Sequence, residues 1–218
     1  MKIIEQSVEV IYPRTLEQGV HELKNIETAG RNCWRSEGKI TDDSYIRFIE
    51  NLRKRGHESP LEFGHIMLKI VTSRDVMAEL TRHRVASFAI QSQRYVDESG
   101  SGNIEFIRPV YFNNIPDKPT LKFVDNTEAA FYTWVDAMEN MEGAYKRLRD
   151  LGMKNEDARK VLPNSTATTI MMDVNLRELL HIYKLRSSNA AYPEMRECMR
   201  LLKKAVDKVL PSFLPDDE

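Results

Sequence analysis

The sequence predicts an α+β fold: a small, mainly antiparallel sheet packed with helices, in a single domain over residues 1–218. Three observations predict it. Segments with apolar residues three and four apart are interspersed with short segments of period-two alternation. The two kinds do not alternate regularly, as βαβ units would. No internal repeat or long linker divides the chain, and 218 residues are enough to bury a sizeable core.

The elements follow in chain order. Residues 2–12 alternate short apolar positions and read as an edge strand. Thr15 and Gln18 make a capping box for a helix whose Leu16, Val20, Leu23 and Ile26 share a face, with Gly30 as its stop. A second helix starts near Asp42, carries Tyr45, Ile46, Ile49 and Leu52, and ends at Gly56. The stretch from His65 to Val71 has Ile66, Leu68 and Ile70 at period two and reads as a strand. A short helix covers Asp75 to His83, with Val76 and Leu80 four apart. From Val85 to Val96 no periodicity emerges, and residues 97–103 form a turn or loop.

IEFIRPVYF reads as a strand limited by Pro109. A longer helix runs from Asp125 to Leu151 on a stripe of Phe131, Val135, Met138, Met141, Tyr145 and Leu148, and Gly152 closes it. Asn155 opens a short helix that Pro163 must end. Thr166 to Val174 favours extended structure. Asn175 with Glu178 makes another capping box, opening a helix to about Leu185. The last helix starts near Pro193 with Met195, Met199, Leu202 and Val206, and the acidic tail PDDE is expected to fray.

A net charge of -1 gives no global basic field that would point to nucleic acid. Two cysteines, Cys33 and Cys198, are too few for a disulfide framework and lack zinc spacing, so no metal site is expected. The N-terminal stretch is too polar for a secretory signal, and no apolar run approaches the ~20 residues of a membrane span. The expected setting is therefore the cytoplasm, without nucleic acid or membrane as partner.

Chemistry-bearing residues concentrate in TRHRVASFAIQSQRY, Thr81 to Tyr95. Arg82, Arg84 and Arg94 can grip phosphate through bidentate hydrogen bonds, and Gln91 and Ser92 add neutral donors and acceptors. Two other readings stay open from composition. Glu79 could pair with Arg82 and His83 on a helix surface, or the loop could touch nucleic acid. Near the C-terminus, Arg177, His181 and Lys184 are spaced four and three and share a helix face. Lys184 and Arg186 could equally serve the negative end of the helix dipole. GHESPLEFGH, residues 56–65, offers His57 as a phosphate or flavin contact or as a turn residue.

Taken together, these segments resemble the flavin-dependent thymidylate synthases. Arg82-His83-Arg84 followed by seven residues and Ser92 is similar to that family's RHR(x)7S signature, and Arg94-Tyr95 continues it. GHESPLE, ARKVLP and Asn175-x-Arg177 with His181 and Leu185-Arg186 resemble three further blocks, in order, over roughly residues 20–205.

The resemblance implies roles residue by residue. Arg186 would contact the uracil ring and favour its ionisation. Glu79, Arg82, Gln91, Ser92, Gln93, Arg94 and Arg159 would join it in binding dUMP. His57, Ser59, Arg82, His83, Arg84, Ile90, Asn175, Arg177 and His181 would contact FAD. It further implies 5,10-methylenetetrahydrofolate as carbon donor, NADPH as reductant, and a homotetramer with active sites at subunit interfaces.

This chain departs from the pattern at several positions. Ala89-Ile90 replaces a frequent Asn-Glu, so Ile90 can offer only backbone groups. Phe63 replaces a histidine, and Ala190 and Tyr192-Pro193 replace His and Gln-Trp. These changes raise one alternative, a flavoprotein of this fold without synthase activity. Keeping Arg94, Arg159 and Arg186 together argues against it. Cysteine-dependent thymidylate synthases need a thiol nucleophile, whereas here neither Cys33 nor Cys198 is expected to be catalytic.

Overall fold

The computed structural model of the protein describes residues 1–100, 102–115 and 126–216. Among the described residues there are six strands: β1 Lys2–Ile4, β2 Ser7–Tyr12, β3 His65–Ser73, β4 Ala86–Ile90, β5 Glu105–Ile107 and β6 Ala167–Asn175. The α-helices are α1 Leu16–Cys33, α2 Ser44–Lys54, α3 Arg74–Leu80, α4 Asn126–Asp150, α5 Asn155–Ala158, α6 Leu176–Arg186 and α7 Pro193–Val206. A four-stranded antiparallel sheet has the order β2–β3–β6–β4. A two-stranded sheet pairs β1 with β5 in parallel, Ile3 opposite Phe106. The class is α+β, as the sequence predicts.

The chain clusters into two compact units. The first comprises Met1–Ser7, Val71–Leu80 and Ile90–Ile170. Its core gathers Ile104, Phe106, Met138, Tyr145 and Ala158, with Trp134, Leu148 and Leu162 packed against them. The α4 stripe puts Phe131, Met138 and Tyr145 inside. Buried Glu142 on the same helix accepts the Ile104 N–H at 2.9 Å, which satisfies a backbone donor that burial would otherwise leave costly.

The second unit comprises Val8–Ile70, Thr81–Ala89 and Met171–Glu218. There α1 packs against α2 and against the 3-10 turn Ser59–Phe63, while α6 packs against that turn and α7. The alternation of β3 buries Ile66, Leu68 and Ile70, and the apolar stripe of α7 buries Met195, Met199, Leu202 and Val206. Thr15 caps α1 by accepting the Gln18 N–H at 3.2 Å.

Several expectations are corrected. The strand expected over 2–12 is two strands in different sheets, broken at Glu5–Gln6; β2 does form an edge. Gly30 does not stop α1, which runs to Cys33. It is instead the small residue of a close contact, where a Cβ would come within 2.5 Å of the Phe48 ring. Leu16 is half exposed, outside the buried face.

The short helix ends at Leu80, so His83 stands in a turn. That removes the helical alignment of Glu79 with Arg82 and His83. The aperiodic stretch after Val85 contains β4, whose side chains alternate only between half-buried and exposed, which explains its weak signal. The expected α4 start at Asp125, Ser101 of the loop and the last two tail residues lie outside the described residues. Gly56 and Gly152 follow α2 and α4 with φ of 68° and 86°, a conformation that suits glycine.

Candidate functional site

In the second unit, the turn before β4 sets Arg82 and Arg84 outward and His83 inward. His83 is only 7% exposed, so its polar atoms must find partners inside. Nδ1 lies 3.3 Å from the Glu178 carboxylate. Nε2 receives the Arg186 Nε–H at 3.1 Å. The His181 ring stands edge-on, 5.9 Å away. Burial, then the Arg186 charge, pushes the His83 pKa below the ordinary imidazole value; Glu178 pulls it part of the way back. The ring is therefore neutral near pH 7.

α6 builds the other wall. The Asn175 side chain caps it by accepting the Glu178 N–H at 2.9 Å. A cleft of about 370 Å³ is lined along this helix by Asn175, Arg177, Glu178, His181 and Lys184, with Glu58, Glu62 and Val85 opposite. The shared face of Arg177, His181 and Lys184, expected from spacing, is thus the face of the cleft. Arg177 pairs with Glu62 at 2.5 Å across it.

The ligand atoms of His83, Glu178 and His181 lie within 4.8 Å of one another, a spacing a metal ion could use. Both His83 nitrogens are already engaged, so a cation would have to take the place of the Nδ1 proton or of the Arg186 guanidinium at Nε2. His57 stacks on Trp34, with centroids 6.0 Å apart, and Ser59 opens the 3-10 turn behind the cleft residue Glu62.

In the first unit, Gln91 is tied down by donating its N–H to the Thr169 carbonyl at 2.9 Å. Ser92 shapes the turn that follows: its carbonyl accepts from Val96 at 2.9 Å and its hydroxyl accepts the Arg94 N–H at 3.3 Å. Gln93 is buried beneath it. Glu156 draws two arginines together, its carboxylate meeting Arg94 at 3.3 Å and its carbonyl accepting the Arg159 Nε–H at 3.2 Å. Glu79 on α3 and Ile90 at the end of β4 also belong to this unit.

The family model described as Thymidylate synthase complementing protein matches residues 15–212. A flavin-dependent thymidylate synthase of Geobacter sulfurreducens is 34% identical over 198 residues, covering 88% of this chain and 80% of the relative. The chain belongs to the flavin-dependent thymidylate synthase family. The crystal structure of a flavin-dependent thymidylate synthase from Helicobacter pylori, complexed with FAD and dUMP, matches with a TM-score of 0.71 and 27% identity, covering 97% of this chain and 99% of that one. A UMP/dUMP methylase from Streptomyces cacaoi shares the fold, with a TM-score of 0.76 at 22% identity, over 98% of this chain and 95% of that one.

For a flavin-dependent thymidylate synthase, two further residues stand out. Arg74, at the start of α3, has a buried Nη1 without a hydrogen-bond partner; burial draws its pKa down, Glu98 pulls it back, and the nearby Arg159 charge adds to the lowering. Glu178 contacts His83. The sequence does not single out Arg74, and it marks Glu178 only as half of a capping box. Cys198 is fully buried, and burial pushes its thiol up to about 12, which leaves no thiolate at neutral pH.

Proposed function

We propose that this protein reductively methylates dUMP to dTMP. 5,10-Methylenetetrahydrofolate donates the carbon, NADPH is the reductant, and tetrahydrofolate leaves. The observation that carries this reading is Arg186, a guanidinium fixed by buried His83 beside a cleft lined by Asn175, Arg177 and His181. The donor set suits FAD: Arg177 and Lys184 offer charge to a pyrophosphate, His181 offers a ring nitrogen, and Asn175 offers an amide. His57, Ser59, Arg82, Arg84 and Ile90 would add contacts. FAD, when bound, supplies the hydride that turns the transferred methylene into a methyl group.

The chain's own residues prepare the pyrimidine. Arg94 and Arg159, gathered by Glu156, offer forks to the phosphate, with Gln91, Ser92 and Gln93 wrapping it and Glu79 and Arg82 alongside. Arg186 at the carbonyl edge stabilises negative charge as it builds on the ring, making C5 nucleophilic. C5 takes the methylene and gives up its proton. The hydride completes the methyl group, and the nicotinamide is left oxidised. No thiol attacks C6.

We further propose that residues 1–218 act as one functional domain and that the protein works as a cytoplasmic homotetramer whose sites draw on several subunits. Each compact unit is assembled from three separate stretches of chain, which supports the first point. For the setting, no helix among the described residues is long and apolar enough to cross a membrane.

The test is the visible spectrum of the purified protein with FAD and then dUMP, followed by an assay for dTMP. An oxidised-flavin band that shifts with dUMP, together with dTMP formation, is expected. No flavin binding with excess FAD and dUMP would defeat the assignment.

A further inference from the structure

We propose that Glu178 is a positioning residue for Arg186, acting through His83: the carboxylate holds the imidazole with its proton on Nδ1, and the Nε2 lone pair holds the Arg186 Nε–H. The inference rests on the reading that Arg186 meets the uracil ring.

The tautomer follows from donor counting. A guanidinium only donates, so Nε2 at 3.1 Å must present a lone pair. A neutral imidazole then has its one N–H on Nδ1. The atom facing Nδ1, at 3.3 Å, is a carboxylate oxygen of Glu178, which accepts. Each atom of the chain has a partner of the right kind, and His83 and Glu178 are both largely out of water, where such bonds are stronger.

The geometry also requires an intermediary. Glu178 and Arg186 both stand on α6, eight residues apart, which is about 12 Å of helix rise. The ring of His83, contributed by the turn before β4, bridges them. Helix capping does not account for the carboxylate. A capping-box glutamate reaches back to the N-cap N–H, whereas this one is within reach of His83. A long arginine side chain loses several rotamers when it is held, and a tether at Nε fixes the plane of the guanidinium. Orientation by a carboxylate through histidine is known to matter about 10- to 100-fold where the histidine binds a metal. Here the histidine holds an arginine instead.

The test uses the full-length protein labelled with 15N-histidine. Imidazole 15N–1H spectra report the tautomer, and dTMP assays give kcat and the KM for dUMP. The wild type is expected to show the His83 proton on Nδ1. Glu178→Ala is expected to lose that signature and to lower kcat about 10-fold, with a smaller change in KM. Glu178→Gln, whose amide oxygen still accepts from Nδ1–H, is expected to restore both. In an Arg186→Lys background, which lacks Nε–H, Glu178→Ala is expected to change kcat less than about 2-fold, because coupled groups are not additive.

A wild-type proton on Nε2, kcat of Glu178→Ala within about 2-fold of wild type, or equal losses in both backgrounds would overturn the relay. When the wild type makes dTMP, any of those results leaves the reaction standing. A wild type that binds flavin but makes no dTMP overturns the reaction, and the relay with it as a catalytic device.

Discussion

At the scale of single residues, the character of Arg186 depends on which of its nitrogens does the holding. Lysine keeps the charge but has no second nitrogen to be held while a planar edge faces the ring. Arg186→Lys is therefore expected to bind flavin while slowing dTMP formation by about 100-fold or more, the scale of losing one preorganised donor; a near-normal rate would remove Arg186 from its role. His83 adds a pH dependence. Its folded pKa lies below the ordinary value of about 6.5. Between those two values the unfolded chain binds the extra proton and the folded chain does not. Stability is therefore full above about 6.5 and falls as pH drops toward the folded pKa. Protonation of the folded ring also turns Nε2 into a donor facing Arg186, with His181 and Glu178 as the other charged or titratable neighbours, so kcat should fall as pH drops through the folded pKa. Urea melts from pH 5 to 8 of wild type and His83→Gln check this, and identical slopes would count against it. The sequence made the arginines, His83 and His181 legible because their spacing is contiguous. Glu178 was not legible as a partner of His83, since in sequence it reads as half of a capping box and its target lies 95 positions away.

At the scale of elements, legibility follows the strength of burial. Strand β3 and helix α7 bury one full face and announce themselves by period, while β6 shows itself by its β-favouring Thr and Ile residues. β4 buries neither face fully, so its alternation carries little apolar contrast. The break between β1 and β2 has no turn signature, because what separates them is the partner each finds, β5 and β3 respectively. Gly30 shows a different failure: a glycine in a helix reads as a stop, yet here space rather than φ requires it. Gly19 is the stronger case. A Cβ there would lie 1.8 Å from the Val209 carbonyl oxygen, and backbone cannot yield as a flexible side chain can. Gly19→Ala gains helix propensity of about 1 kcal/mol but forces α1 away from the turn after α7. Overpacking of about 1–3 kcal/mol is expected, and with a backbone obstacle the upper end applies. The net effect is a Tm lowered by several degrees, at about 2–4 °C per kcal/mol for a chain of this size. An unchanged or raised Tm in calorimetry would mean that α1 and the turn slide apart at no cost.

At the scale of the whole molecule, large apolar side chains stand exposed beside residues assigned to ligand. In the second unit, Trp34 stacks on His57, Phe63 follows Glu62 and Val85 lines the cleft; all three are more than half exposed. Apolar surface gathered around a polar site calls for a cover. A net charge of -1 sets little electrostatic repulsion against a second copy supplying it. The proposed homotetramer therefore predicts a sedimentation mass four times the 25.3 kDa of one chain. It also predicts how activity responds to dilution. If sites are completed by neighbouring subunits, turnover per chain stays constant while the assembly is intact and is lost as it dissociates, because the folded, competent state is tied to protomer concentration. Adding FAD and dUMP should move that dissociation to lower protein concentration, since ligands held by more than one chain bind only the assembly. Turnover that persists in a sedimenting single chain would show that one copy completes the site alone, and the exposed residues beside it would then need another occupant.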